Sequence, residues 1–147
     1  VGTVDGMTIV VDTREQTPLE FSEGVCVVRR KLDTGDYSIA GMQTDGVAIE
    51  RKSLDDLVNT VIHAKARFAA ELARMQAYRF RAVVIEASVD DVMAHRYRAD
   101  VHPRSVLALC NAAYVRYGVP FFFWGARPHC RYLLENLLTR IWTRHHP

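Results

Sequence analysis

Lysine is nearly absent from this 147-residue chain, with three copies against sixteen arginines. A dominant charge is missing too, since 19 basic and 17 acidic side chains leave a formal +2. Composition therefore does not announce a nucleic-acid binder, and any grip on phosphate has to come from a local patch. Guanidinium forks suit phosphate better than ammonium does, but a GC-rich genome produces the same bias, and that is the plainer reading. Long hydrophobic runs are lacking; none reaches the length of a membrane span, so no membrane partner is expected. Cysteine is scarce. Cys26, Cys110 and Cys130 form no C-x-x-C pair, and an odd count without a signal peptide argues for a reducing interior. Each is flanked by apolar or helical sequence and reads as a buried small hydrophobe. His129-Cys130 is a fragment of a metal site that nothing nearby completes. Repeats, long linkers and low-complexity tracts are also missing. A start at Val1 rather than Met points to processing or trimming.

What remains is a chain of ordinary apolar content, 49%, long enough to bury a core as one domain spanning residues 1–147. Its centre of gravity is the stretch from Gly35 to Asp56. Val47 to Lys52 alternates as a strand does: Val47, Ile49 and Arg51 point one way, Ala48, Glu50 and Lys52 the other. Glu50 and Lys52 thus share a face, and a hairpin partner brings Asp36 near it. Two carboxylates of this kind suit Mg²⁺, which keeps several waters and open positions for phosphate oxygens. The ammonium beside them orients the attacking water or offsets charge on the phosphorus transition state. The acid-x-Lys pattern alone is common and usually marks a solvated face.

The fuller string is more specific. Gly35-Asp36, then Glu50-Arg51-Lys52, three residues and Asp56, resembles the Gly-Asp…Glu-Arg-Lys-x-x-x-Asp signature of the XPF/Hef family of DNA nucleases. Ile9-Val-Val-Asp-Thr-Arg-Glu15 is similar to that family's upstream Val-Asp-x-Arg-Glu block, and the order and spacing of the two blocks agree. The helix-strand-helix rhythm of residues 53–143 also resembles the family's nuclease domain. The resemblance implies a metal-dependent endonuclease acting at branched or flapped DNA, often as a homodimer. It implies an intracellular setting: cytoplasm or nucleoid in a bacterium, nucleus in a eukaryote. Many members add a tandem helix-hairpin-helix domain or a helicase. Neither is in these residues, so a partner carrying one is an expectation.

In chain order, residues 7–11 read as a buried strand delivering Asp12. The plainer reading of Asp12 is a turn-starting carboxylate; with Arg14 and Glu15 following in the family pattern, a supporting metal ligand is favoured. Arg14 either holds a phosphate or pairs with an acid of the site. Val25 to Leu32 reads as a second strand, residues 33–35 as a turn, and Tyr37 to Ile39 as the return strand. Ser53-x-x-Asp56 has the form of a capping box, so Asp56 reads as structural despite its place in the string. Arg51, pointing away from Glu50, does too. Leu54, Leu57, Val58, Val61 and Ile62 mark that helix's apolar face. Residues 63–67 link to a helix bearing Phe68, Leu72 and Met75, and Lys65 and Arg67 fall where family members carry residues that face DNA. Val83 to Ile85 is a buried strand, and Ser88-x-x-Asp91 caps again. The basic, aromatic loop holding Arg96, Tyr97, Arg98 and Arg104 either grips backbone and stacks on a base or is simply solvated. Pro103 opens and Gly118 closes a long helix. Phe121 to Trp124 is a strand, and a helix over 129–144 carries a wide stripe including Leu138 and Trp142, read as a deeply buried last helix or a dimer surface.

The expected fold is α/β, a central mixed β-sheet flanked by α-helices, restriction-endonuclease-like. The expected reaction is hydrolysis of DNA phosphodiesters with Mg²⁺, or Mn²⁺ as substitute. Asp36 and Glu50 are the main ligands, Asp12 supports them, and Lys52 acts on the nucleophile. Arg14, Lys65, Arg67, Arg96, Arg98 and Arg104 are the DNA-contact candidates. The rival classes are a non-catalytic scaffold or DNA-binding subunit, which the intact acids disfavour, and a sequence-specific restriction-like enzyme, for which no base-reading element is evident.

Overall fold

The computed structural model describes residues 5–147. Its strands are β1 (Thr8–Val11), β2 (Cys26–Arg29), β3 (Tyr37–Ile39), β4 (Val47–Lys52), β5 (Phe80–Ile85) and β6 (Phe121–Phe123). Its helices are α1 (Leu54–His63), α2 (Lys65–Met75), α3 (Val89–Met93), α4 (Pro103–Tyr117) and α5 (Arg127–His145). The strands form one mixed sheet in the order β2-β1-β3-β4-β5-β6. Only β3 runs against its neighbours, pairing antiparallel with both β1 and β4. The carboxyl ends of the other five strands and the amino end of β3 therefore share one end of the sheet, where ligands of open α/β sheets gather.

Strand alternation divides the apolar residues between two cores. Val83 and Ile85 of β5 face α1, α2, α3 and α4, whose Leu57, Phe68, Leu72, Val92 and Val106 close over them. Ala82 and Val84 face the other way, joining Ile9, Tyr37 and Ile49 under Leu134, Leu138 and Ile141 of α5. Pro103 sits in the first turn of α4, and Gly118 ends it in the left-handed region at φ 68°. That conformation is strained for residues with a Cβ and common for glycine at this position.

Several local expectations change. The second strand shrinks to residues 26–29 and is mostly exposed, because it is an edge strand paired only to β1. Cys26 consequently lies on the surface, while Cys110 and Cys130 are buried. A single residue, Ala64, separates α1 from α2, so Lys65 opens a helix instead of sitting in a link. Ile62, in the last turn of α1, is exposed. Ser53 caps α1 by accepting the Asp56 N–H, but the reciprocal half of the box is formed only at Ser88 and Asp91. Strand β5 begins at Phe80, and β6 stops at Phe123. Helix α5 starts at Arg127, and Leu138 in its stripe is 0% exposed. Tyr97 is buried, with its hydroxyl donating to the Val101 carbonyl at 2.6 Å, so it is not presented for stacking on a base. No helix among the described residues is long and apolar enough to cross a membrane.

Candidate functional site

The register of β4 against β5 decides what each residue of Glu50-Arg51-Lys52 faces. Glu50 lies beside Val83 and Lys52 beside Ile85, both on the α2 side of the sheet; Arg51 lies beside Val84, on the α5 side. Lys52 Nζ stands 3.5 Å from Glu50 Oε2 and 5.0 Å above the centre of the Phe68 ring. Phe68 is itself held edge-on by Phe121 at 5.9 Å. The ammonium is thus pinned between a carboxylate and an aromatic face, a placement that restricts a long, flexible side chain.

Asp36 reaches the same place from β3. Its N–H donates to the Ile49 carbonyl at 2.7 Å, and its Oδ2 accepts the Arg51 N–H at 2.8 Å. Gly35 permits this approach. Its φ is +83°, and a Cβ there would stand 3.0 Å from the Ile49 oxygen and 3.1 Å from its nitrogen. Any side chain would push the loop off β4.

Burial and crowding of like charge dominate the electrostatics. Burial lifts the Asp36 carboxyl from 3.8 to about 6; the Arg51 N–H opposes the rise, and the charges of Glu15 and Glu71 add to it. Glu50 is pushed well above the usual carboxylate range, first by burial and then by Asp36 and by Glu71 of α2, with Lys52 offsetting part. Both charges are disfavoured by depth, and Glu50 further by Asp36 and Glu71, while Asp36 draws support from a hydrogen bond with Glu50; such crowding is relieved by a cation. Pattern reading missed Glu71 and Phe68. Both belong to α2, 19 and 16 residues beyond Lys52, and no local spacing rule ties a helix residue to a strand that far away.

On the opposite face Arg51 anchors β4. Its Nε and Nη2 bond the two oxygens of Glu15 at 2.8 Å each, and its Nη1 bonds Glu86 at 3.1 Å. Glu86 also accepts from Arg127 at 2.9 Å, and Arg127 in turn holds the Thr17 and Pro18 carbonyls. The structural role expected of Arg51 therefore has its partners in Glu15, Thr17 and Glu86, the last shared with Arg127. A bidentate arginine-carboxylate pair fixes orientation as well as distance.

Asp12 adjoins Asp36, its N–H donating to the Asp36 carbonyl at 2.8 Å, and its carboxylate accepts several hydrogen bonds. Oδ1 accepts the Leu32 N–H at 2.8 Å, and Oδ2 accepts Arg14 Nε at 2.9 Å and the Arg14 N–H at 3.2 Å. Burial works to raise its pKa, but these bonds hold it below the usual value. It staples the loop after β1 to the turn before β3. Among the described residues no group of three or more His, Cys, Asp or Glu side chains is arranged to enclose a metal ion.

The basic candidates fall into distinct settings. Arg14 is 65% exposed in its side chain; besides Asp12, the charges of Asp36 and Glu50 raise its pKa, which places it within their field. Lys65 and Arg67 are exposed in the first turn of α2, just outward of Phe68. The Arg98 N–H donates to Asp55 in the first turn of α1, which holds residues 95–104 at the same end of the sheet. Arg98 and Arg104 are exposed there, and Arg96, paired with Asp91 at 2.6 Å, keeps a side chain 65% exposed.

Three comparisons bear on this arrangement. The profile of the ERCC4 domain matches residues 11–137. The 3'-flap repair endonuclease Xpf of Saccharolobus solfataricus is 37% identical over 79 residues, 52% of this chain and 31% of the relative. The chain thus spans about a third of that relative's length. XPF from Aeropyrum pernix superposes with a TM-score of 0.71 at 24% identity, over 90% of this chain and 60% of that one. The same protein in complex with DNA gives 0.71 over 93% and 65%. The shared fold is the restriction-endonuclease-like one.

Proposed function

Because the chain belongs to the ERCC4 domain family, we propose that it is a metal-dependent, structure-specific DNA endonuclease that hydrolyses phosphodiesters at flaps, forks or other branched DNA. The observation that carries this reading is the Asp36–Glu50 pair, buried, close together and flanked by the pinned Lys52 at the end of the sheet where the parallel strands finish. It is supported by the likeness to a relative named as a 3'-flap repair endonuclease and to a fold solved with DNA.

The donor set fits a hard divalent ion, Mg²⁺ or Mn²⁺: oxygen only, two carboxylates, and room for water and phosphate. Asp36 and Glu50 would hold it. When bound, the ion supplies Lewis-acid polarisation of the phosphate and a more acidic water. The chain's own groups do the rest. Lys52, held by Glu50 and Phe68, places positive charge where the phosphorane's charge develops and orients the attacking water. The Arg51 N–H fixes one oxygen of Asp36 so that its other oxygen is aimed. Arg51, Glu15 and Glu86 hold β4 rigid from below, and Asp12 and Arg14 hold the adjacent loop. Arg14, Lys65, Arg67, Arg98 and Arg104 bind the DNA backbone around this end.

A homodimer belongs to the same reading. Its surface is assigned to exposed apolar residues beside the open edge of β6: Tyr114 and Val115 on α4 and Tyr132 and Leu133 on α5. Leu138 is interior, so the seam is not the whole stripe of α5. A helix-hairpin-helix or helicase partner would supply further grip on branched DNA.

The test is cleavage of two labelled flaps of scrambled sequence, with Mg²⁺ and with EDTA as control. Cuts at the same position relative to the branch on both, abolished by EDTA, are the expected result. Cuts that follow sequence would replace this reading with a restriction-like one. Absence of cleavage with DNA binding intact would favour a scaffold subunit.

A further inference from the structure

The chain just past β2 carries two cations whose side chains have no partner among the described residues. Arg30 and Lys31 follow the strand's last paired residue, Arg29, at the end of the sheet where Asp36 and Glu50 lie. Both are exposed, and neither side chain has a hydrogen-bond or ion-pair partner among the described residues. Their neighbour Arg29 differs, since its guanidinium holds the Thr13 and Glu15 carbonyls at 3.1 and 2.9 Å. Arg14 Nη2 donates to the Leu32 carbonyl at 2.8 Å, directly after Lys31 in the chain. The Arg14 guanidinium therefore bridges the space between these two cations and the acidic pair, whose field it feels. Beyond the pair, Lys65 and Arg67 continue the positive charge on α2.

Resting on the nuclease reading above, we infer that Arg30 and Lys31 are phosphate-contact residues that seat a nucleic-acid backbone on the β2 side of the cut, completing a cationic track across the end of the sheet. The track runs over β2, β1, β3 and β4. Three steps between neighbouring strands make about 14 Å from β2 to β4. In a straight line that distance spans about two phosphates along one strand of a duplex, because successive phosphates turn about the axis as well as rise along it. The residues read no base, since backbone contacts position without specifying sequence. The competing explanation is that Arg and Lys at an edge strand merely discourage pairing with another sheet. It does not account for their position at the site end of the sheet, next in the chain to Leu32, whose carbonyl Arg14 holds.

The experiment measures flap binding on the Glu50→Gln protein, so that cleavage does not intervene, and compares it with the same protein carrying Arg30→Ala and Lys31→Ala. The control pair is Arg140→Ala and Arg144→Ala, at the far end of the sheet, where α5 closes on Phe80. The double β2 variant is expected to bind on the order of 10-fold more weakly at moderate salt. Its plot of log affinity against log salt should be shallower by about 1.8, two phosphates at about 0.9 each. The control should match the parent. Neutral methylphosphonates placed singly along the arm should weaken the parent, but not the double variant, about two phosphates from the cut. Unchanged affinity and slope would overturn the assignment while leaving the nuclease reading in place. So would a double variant that binds normally and only self-associates, which is the edge-guard outcome. If the Glu50→Gln parent binds no DNA, the inference and the nuclease reading fail together.

Discussion

At the scale of single residues, the acidic pair has a measurable cost. Burial raises Asp36 to about 6 from 3.8, so the folded protein keeps its proton over a range where the unfolded chain has lost it. Stability from this group is fully present below about pH 4 and is lost as pH rises through about 6. Asp36→Asn keeps an oxygen to accept the Arg51 N–H but cannot ionise. Metal-free, it should be more stable than the parent by on the order of 2 kcal/mol above pH 7, with the gap closing towards pH 4. Added Mg²⁺ should raise the melting temperature of the parent only. Denaturant melts across pH check both statements; equal stability at pH 8 would mean that the carboxyl carries no such strain. Lys52 offers a second residue-scale prediction through Phe68. Phe68→Leu should lower kcat on the order of 5-fold while leaving KM near the parent value, and Phe68→Tyr, which keeps the ring, should recover most of it. Equal losses in both variants would assign Phe68 to packing alone.

At the scale of elements, β4 and the turn before β3 carry the site, and they were the most legible part of the sequence. Val47 to Lys52 alternates cleanly, so its faces follow from period two, and Gly35-Asp36 announces a turn. The partners from elsewhere were not legible. Glu71 and Phe68 reach the site because α2 folds back over β4; Glu86 reaches Arg51 because it follows β5, the neighbour of β4, and Arg127 reaches Glu86 because α5 crosses the other face. Asp12 shows a second kind of gap: its motif suggested a supporting ligand, and the hydrogen bonds it accepts from Leu32 and Arg14 were not legible in the spacing. Strand β2 was read as longer than it is because an edge strand bears no alternation to mark its ends. The element-scale prediction concerns Gly35. Gly35→Ala places a Cβ against the Ile49 backbone at a positive φ, costing about 1–2 kcal/mol. It should lower cleavage by more than it lowers stability, because Asp36 is moved off Glu50. Wild-type turnover in Gly35→Ala, measured with the melt, would show that the loop absorbs the change.

At the scale of the whole molecule, two cores share one sheet, and what they leave uncovered is apolar on α4 and α5. Val115 is 84% exposed and Leu138 is 0% exposed, so the two separate association from folding. Val115→Glu should stay folded and shift a homodimer towards monomer by light scattering at micromolar concentration. Leu138→Glu should unfold, because it buries an unpaired charge in the core under α5. A parent that is monomeric under those conditions would remove the dimer from this account. The central claim, that Asp36, Glu50 and Lys52 form a divalent-ion-dependent phosphodiesterase centre, has a more direct test. It is the single-turnover rate of flap cleavage against Mg²⁺ concentration for the parent and for Glu50→Gln, both checked for flap binding. The account predicts a saturable Mg²⁺ dependence in the parent and loss of cleavage, with binding retained, in the variant. Parent-like cleavage by Glu50→Gln, or cleavage by the parent that is indifferent to EDTA, would contradict it.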